Sequence, residues 1–140
     1  MLSMNRHAGI FLAMALMLPT TLAFASGGGS GATGDFPGYM EIDPALVVNL
    51  SNPSKARYLR VDIQLFIESK EEADLVAHHM PRLRDRLISL LAGRDGSTLT
   101  TTEARDALRG ELLSDLRETM TAQAGRPAIS AIYFTGFIMQ

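Results

Sequence analysis

The chain has 140 residues, 46% of them apolar, with 13 basic and 15 acidic side chains, no cysteine and a formal charge of −2. That length excludes a large barrel or a two-domain enzyme. The absence of cysteine excludes a disulfide scaffold, a thiol catalyst, a cysteine zinc site and lipoprotein acylation. A charge of −2, or −3 once Arg6 is removed with the N-terminus, provides no electrostatic footprint for nucleic acid.

Apolar content is uneven: 17 of the first 25 residues are apolar. Met1–His7 carries Arg6, Ala8–Leu18 is an eleven-residue run without a polar side chain, and Leu22-Ala23-Phe24-Ala25 ends in an A-x-A pattern. Charged, apolar and small-residue regions in that order make a secretory signal, with Ala23 and Ala25 at the cleavage positions. The run falls short of the roughly 20 apolar residues that span a bilayer. Residues 1–25 therefore read as a signal peptide cut after Ala25; left uncut, they form a signal anchor that holds the chain to the membrane. Either way the remainder lies outside the cytoplasm. Residues 26–38 hold five glycines in their first nine positions and read as a flexible Gly/Ser-rich linker. The folded domain is expected over 39–140.

Tyr39–Leu50 is β-rich around Ile42 and Leu46-Val47-Val48, with Pro44 bending the strand or confining it to an edge. Ser51-Asn52-Pro53-Ser54 is a turn. Leu59, Val61, Ile63, Leu65 and Ile67 alternate with Arg60, Asp62, Gln64, Phe66 and Glu68, which predicts a half-buried strand in an antiparallel hairpin. Ser69-Lys70-Glu71-Glu72 has capping-box spacing, and Val76, Met80, Leu83, Leu87 and Leu90 follow as one buried stripe. Pro81 inside that stripe either kinks the helix or starts a second one. Gly93 and Gly96 bracket its end. Thr100-Thr101-Thr102-Glu103 is a second capping box, before a stripe of Ala104, Ala107, Leu108, Leu112, Leu116 and Met120, widened by Leu113. Gly125-Arg126-Pro127 stops that helix. The last strand, Ile129–Met139, places Ile132, Phe134 and Ile138 on one side and Tyr133, Phe137 and Met139 on the other. Two apolar faces predict a central strand or a strand whose second face meets a partner. The order ββααβ gives an α+β fold: a small, mostly antiparallel sheet with helices on one face.

Chemistry is sparse. His78-His79 is the one constellation with ligand character, with Asp74 at i,i+4 from His78. Only two ligands are near, and adjacent histidines point to different sides of a helix, so a polar helix face is the expectation. No serine lies in a G-x-S-x-G elbow, no carboxylate pair suggests glycoside chemistry, and the glycines of Gly27–Gly34 lack the lysine of a phosphate loop. No enzyme, cofactor or metal site is expected. The candidate contact residues are Arg82, Arg84 and Arg86, with Arg94 adding to the basic bias, together with Phe66, Tyr133 and Phe137. The arginines read first as a solvated face, and alternatively as a contact for anionic headgroups or an acidic partner. Phe66 sits at the polar parity of its strand, and with the two-faced last strand it marks an oligomer or partner surface.

Tyr39-Met40-Glu41-Ile42-Asp43-Pro44 followed by Val47-Val48-Asn49-Leu50, the first of five such segments, resembles the opening of the periplasmic domain of the FliL family of flagellar basal-body proteins. Arg57-Tyr58-Leu59-Arg60-Val61 is similar to its second strand, and Met80-Pro81-Arg82-Leu83-Arg84-Asp85 to its helix break. Ala107–Leu113 resembles its later helix, and Ile132–Gln140 its closing strand. Ala45 stands where the family usually has an aromatic residue, and Gly136 where an acidic one is common. The resemblance implies a stomatin-type scaffold fold and a non-enzymatic accessory role in swimming, swarming and chemotaxis. It also implies a homo-oligomeric ring around the flagellar stator at the periplasmic side of the inner membrane. The alternative is a periplasmic stomatin-like scaffold or binding module outside motility.

Overall fold

The computed structural model of the protein describes residues 33–140 apart from Pro53 and Lys55. The signal-like segment and the first part of the linker lie outside the described residues. The fold is α+β: an antiparallel sheet and three α-helices. Strand β1 spans Gly38–Glu41, β2 Leu46–Asn49, β3 Tyr58–Ile67 and β4 Ala131–Met139. Helix α1 spans Lys70–His78, α2 Met80–Leu91 and α3 Thr102–Ala124, with a 3₁₀ turn over Gly96–Leu99 between α2 and α3.

β3 organises the sheet. β4 pairs with Leu59–Phe66, while β2 pairs with Tyr58–Val61 and β1 with Gln64–Ile67, all antiparallel. Since β4 fills one edge of β3, β1 and β2 lie end to end along the other. They are the single β-rich stretch of the sequence, interrupted at Asp43-Pro44, where Pro44 has no backbone donor to offer the ladder. Ile42 bridges the gap by donating its amide to the Ile63 carbonyl at 2.9 Å. Packing begins before β1, with Phe36 against the core.

The alternation of β3 is realised in full. Leu59, Val61, Ile63, Leu65 and Ile67 are all 0% exposed and meet the helices. At about 1.5–3 kcal/mol per buried branched side chain, this strand supplies a large part of the hydrophobic stabilisation. The second helical stretch divides as its proline requires. Ser69 caps α1 by accepting from the Glu72 amide at 3.3 Å, and Pro81 opens α2 in the first turn, where no amide is needed. His79 sits between the two helices as the cap of both. The buried line is Ala73, Val76, Leu83, Leu87 and Leu91, whereas Met80 and Leu90 are only half-buried. A new helix beginning at Met80 rotates the stripe, so Leu91 replaces Leu90.

The second capping box shifts by one residue. Thr101, not Thr100, caps α3, accepting from the Ala104 amide at 3.1 Å. Thr100 instead closes the 3₁₀ turn, donating to the Ser97 carbonyl at 3.2 Å. Leu108, Leu112, Leu116 and Met120 are buried, Ala104 and Leu113 partly so, and Ala107 is exposed. Gly125 ends α3 at φ +76°, a left-handed conformation that carries no Cβ penalty in glycine.

The last strand corrects the sequence reading. Among the described residues β4 is an edge strand and not a central one, and the division of its apolar side chains between the two faces is set by a β-bulge. Asp62 pairs with Gly136 and Ile63 with Phe134, which leaves Thr135 as the extra residue. One added residue reverses the side-chain parity beyond it. Cross-strand partners share a face, so Ile132, Phe134, Phe137 and Met139 lie on the helix side with Leu65, Ile63, Val61 and Leu59. Tyr133 and Ile138 lie on the other.

Candidate interaction surface

All three helices pack on one face of the sheet, and among the described residues the other face is open. Register builds that open face row by row across β3. Asn49, Tyr58 and Gln140 form the first row, then Val47, Arg60 and Ile138. Asp62 and Gly136 follow, then Glu41, Gln64 and Tyr133, and last Tyr39, Phe66 and Ala131. The middle is polar, with Arg60 donating to Asp62 at 3.2 Å. Both ends are apolar. Val47 is 62% exposed, with Tyr58 and Ile138 also exposed beside it. At the opposite end Tyr39 is 60% exposed. Its ring lies 5.2 Å from that of Phe66 and 5.9 Å from that of Tyr133. Aromatic rings at 4.5–7 Å in tilted or edge-on contact attract one another, so this cluster is a pre-formed rigid patch.

Phe66 and Tyr133, both singled out in the sequence, therefore come together, and Tyr39 joins them. Phe137 does not. The bulge carries it to the helix side, where the Arg105 guanidinium lies 4.7 Å above its ring. Alternation along β1 and β2 is enough to put Tyr39 on the open face with Phe66, and Val47 on the same face at its other end; Ile138 is hidden by the same bulge that moves Phe137.

The arginines separate by role. Arg86 holds Asp115 of α3 in a two-bond fork, both bonds at 2.6 Å, and the Asp115 hydrogen bond followed by its charge pushes the Arg86 pKa upward. Arg94 pairs with Glu111 of α3 and donates from Nε to the Leu90 carbonyl at 2.6 Å. Arg84 donates to the Pro44 carbonyl at 2.7 Å, tying α2 to the break between β1 and β2. Arg82 is the most outward of the set and pairs, among the described residues, with Asp85 alone, at 3.5 Å. The basic bias in the sequence thus includes three internal ties that join α2 to α3 and to the sheet. Their acceptors lie 17 to 40 residues away for the cross-element bonds, so local spacing gave no sign of them.

His78 and His79 do not diverge, because His79 has left α1. Their rings meet edge to face, with centroids 4.8 Å apart. Asp74 accepts from Lys70 on the same helix. Among the described residues no group of three histidine, aspartate or glutamate side chains converges on a point where a metal would sit. Asp95 has a structural task. Its carboxylate accepts from the Ser97 amide at 2.9 Å and caps the 3₁₀ turn, and that backbone bond holds its pKa below the usual carboxylate range. Among the described residues, no helix is long and apolar enough to cross a membrane.

Residues 39–140, from the second residue of β1 to the C-terminal residue, match the family model described as flagellar basal body-associated protein FliL. The chain belongs to the FliL family. The flagellar protein FliL of Aquifex aeolicus is 28% identical over 100 residues, covering 71% of this chain and 60% of the relative. That of Escherichia coli K12 is 25% identical over 95 residues, covering 66% of this chain and 59% of the relative. The chain thus spans about 60% of the length of the FliL relatives it matches. Apart from Gly38, the first residue of β1, the FliL match takes in every strand and helix described above, so the open sheet face belongs to the matched region.

Proposed function

We propose that this chain is a non-enzymatic accessory protein of the bacterial flagellar basal body that supports stator function and flagellum-dependent motility, swimming, swarming and chemotaxis included. The observation that carries this reading is the FliL match over 39–140, which takes in all the helices and, but for Gly38, all the strands. The signal-like order of residues 1–25 supports a position at the periplasmic side of the inner membrane, either tethered by an uncut segment or released after Ala25. The proposed partners are the stator proteins, the basal body and further copies of the chain. The contact surface proposed is the aromatic end of the open face, Tyr39, Phe66 and Tyr133; the outward Arg82, on α2 and so on the helix side of the sheet, is a separate candidate contact. Exposed aromatic clusters of this kind suit burial against a partner because they offer area at little conformational cost.

The test is deletion of the gene followed by swimming and swarming under viscous load. Reduced swarming and slower swimming at high viscosity, restored by the wild-type chain and not by Tyr39→Ser/Phe66→Ser, are expected. Unchanged motility under load removes the assignment and favours a periplasmic scaffold or binding module outside motility. Intact mass of the native protein, with its fractionation, decides the anchor: a chain starting at Ser26 in the periplasm shows cleavage, and full-length protein in the membrane shows retention.

A further inference from the structure

We infer that the groove between α3 and the outer edge of β4 takes an extended, carboxylate-bearing peptide segment as an added strand. The inference concerns a different surface from the open face and does not rest on the motility reading.

The edge provides the first argument. Among the described residues, β4 pairs with β3 alone. Tyr58 and Gln140 exchange both backbone bonds, at 2.8 and 2.9 Å. Antiparallel ladders alternate, so Ile138, Gly136 and, beyond the bulge, Tyr133 also direct their backbone groups at β3. Ile132, Phe134, Phe137 and Met139 consequently turn theirs outward. Edges are usually protected by charges or proline, and Ala131–Met139 contains neither. The bulge at Thr135 is the protection it carries, and it splits the outward groups into two short stretches instead of removing them.

Shape and charge provide the second. A cavity of about 270 Å³ lies along this edge, walled by Thr102, Arg105, Asp106 and Arg109 of α3 and by Tyr133, Phe134 and Phe137 of β4. A helix running beside an open strand edge is the arrangement that β-strand addition uses: the edge bonds the peptide backbone and the walls read alternate side chains. Arg109 is neutralised by Asp106 at 3.1 Å. Arg105 is different. Its Nε donates to the Leu99 carbonyl at 3.0 Å and its guanidinium carbon lies 4.7 Å over the Phe137 ring. Among the described residues no carboxylate pairs with it. An oriented guanidinium with donors to spare beside an apolar floor selects a planar carboxylate. The added strand would place that carboxylate on its helix-facing side and alternate residues, apolar by preference, against Tyr133.

Fluorescence anisotropy on the full chain tests this with labelled nine-residue peptides of alternating Val and Thr carrying a central Glu. Controls replace the Glu with Lys or N-methylate two alternate amides. Saturable binding of the Glu peptide, about tenfold weaker for either control, is expected for one charge-assisted contact on a backbone ladder. Amide NMR shifts should fall on 131–139 and 102–109. Arg105→Gln should shrink the Glu-over-Lys preference while sensitivity to N-methylation persists. Should that variant fail to fold, the wild type still decides: rising salt should weaken the Glu peptide and leave an all-Val/Thr peptide unchanged. No saturable binding, equal affinity for Glu and Lys peptides, or shifts elsewhere would overturn the inference. A stable dimer paired through β4 would also do so, because a second copy would then own the edge.

Discussion

Gly136 offers a substitution whose sign depends on a single neighbour. It sits in the interior of β4 with an ordinary negative φ, directly across from Asp62. A Cβ at this position runs into the Asp62 carboxylate, with the Asp62 Cγ at 3.1 Å and Cβ at 3.3 Å. On its own, Gly→Ala inside a strand should stabilise by about 0.5–1 kcal/mol through the unfolded chain's lost freedom. Here the methyl must displace Asp62, at about 0.5–1.5 kcal/mol for an off-rotamer side chain. It also breaks the exposed Arg60–Asp62 pair, worth about 0.2–1 kcal/mol. The displacement wins. Gly136→Ala should cost about 0.5–1.5 kcal/mol in the wild type, and in an Asp62→Ala background it should stabilise by about 0.5–1 kcal/mol. The coupling energy of the cycle is then about 1–2.5 kcal/mol, within the range for contacting residues. Urea unfolding of the four proteins measures it, and at this domain size each kcal/mol moves Tm by about 4–8 °C. Equal destabilisation by Gly136→Ala in both backgrounds would refute the reasoning and place the glycine requirement in the backbone.

Three further outcomes follow from the same structure. Ile63→Ala, at a fully buried position on β3, should cost about 2–5 kcal/mol, whereas Val47→Ala on the open face should stay within about 0.5 kcal/mol; comparable losses in chemical denaturation would mean that the open face is covered. The folded-state pKa of Asp95 lies below its unfolded value, so its contribution is complete above the ordinary carboxylate range and is lost as pH falls through the folded value. The wild type should therefore lose more stability than Asp95→Asn between pH 6 and pH 3, and parallel profiles would count against the cap. Asp115→Asn removes the charge from the Arg86 fork and should lower the unfolding midpoint more at low salt than at high salt. A salt-independent difference would show that packing, not the ion pair, joins α2 to α3.

What was legible in the sequence was what periodicity and punctuation encode. The five-residue alternation of β3, the Ser69 cap, the proline break in both the first strand and the first helix, and the Gly125 stop all rest on neighbours within four residues. The Thr101 cap was missed by one position because three threonines offer the same chemistry, and the 3₁₀ turn before them decided which hydroxyl reached the helix. The bulge was missed for a deeper reason. Thr135-Gly136 looks like ordinary alternation, and its extra residue is defined only by the partner strand, about 70 positions earlier in the chain. That single residue decided the face of Phe137 and Ile138, and so the membership of the candidate surface. The arginine ties were hidden likewise, since Arg86 and Asp115 are 29 residues apart.

The bulge also separates the two surfaces proposed for contact and gives them one residue in common. Without Thr135 as an extra residue, Phe137 would join Tyr133 on the open face and Arg105 would have no ring to lie over. With it, Phe137 becomes the floor of the α3–β4 groove, while Tyr133, on the edge strand, contributes both to the groove and to the aromatic patch of Tyr39 and Phe66. A change at Tyr133 therefore perturbs both surfaces and cannot assign a phenotype to either. Phe66 lines the patch alone and Arg105 the groove alone, so a motility defect from Phe66→Ser with peptide binding intact would place the flagellar contact on the open face. The converse, a defect from Arg105→Gln in a fully folded protein, would show that the flagellar partner enters as a strand along β4.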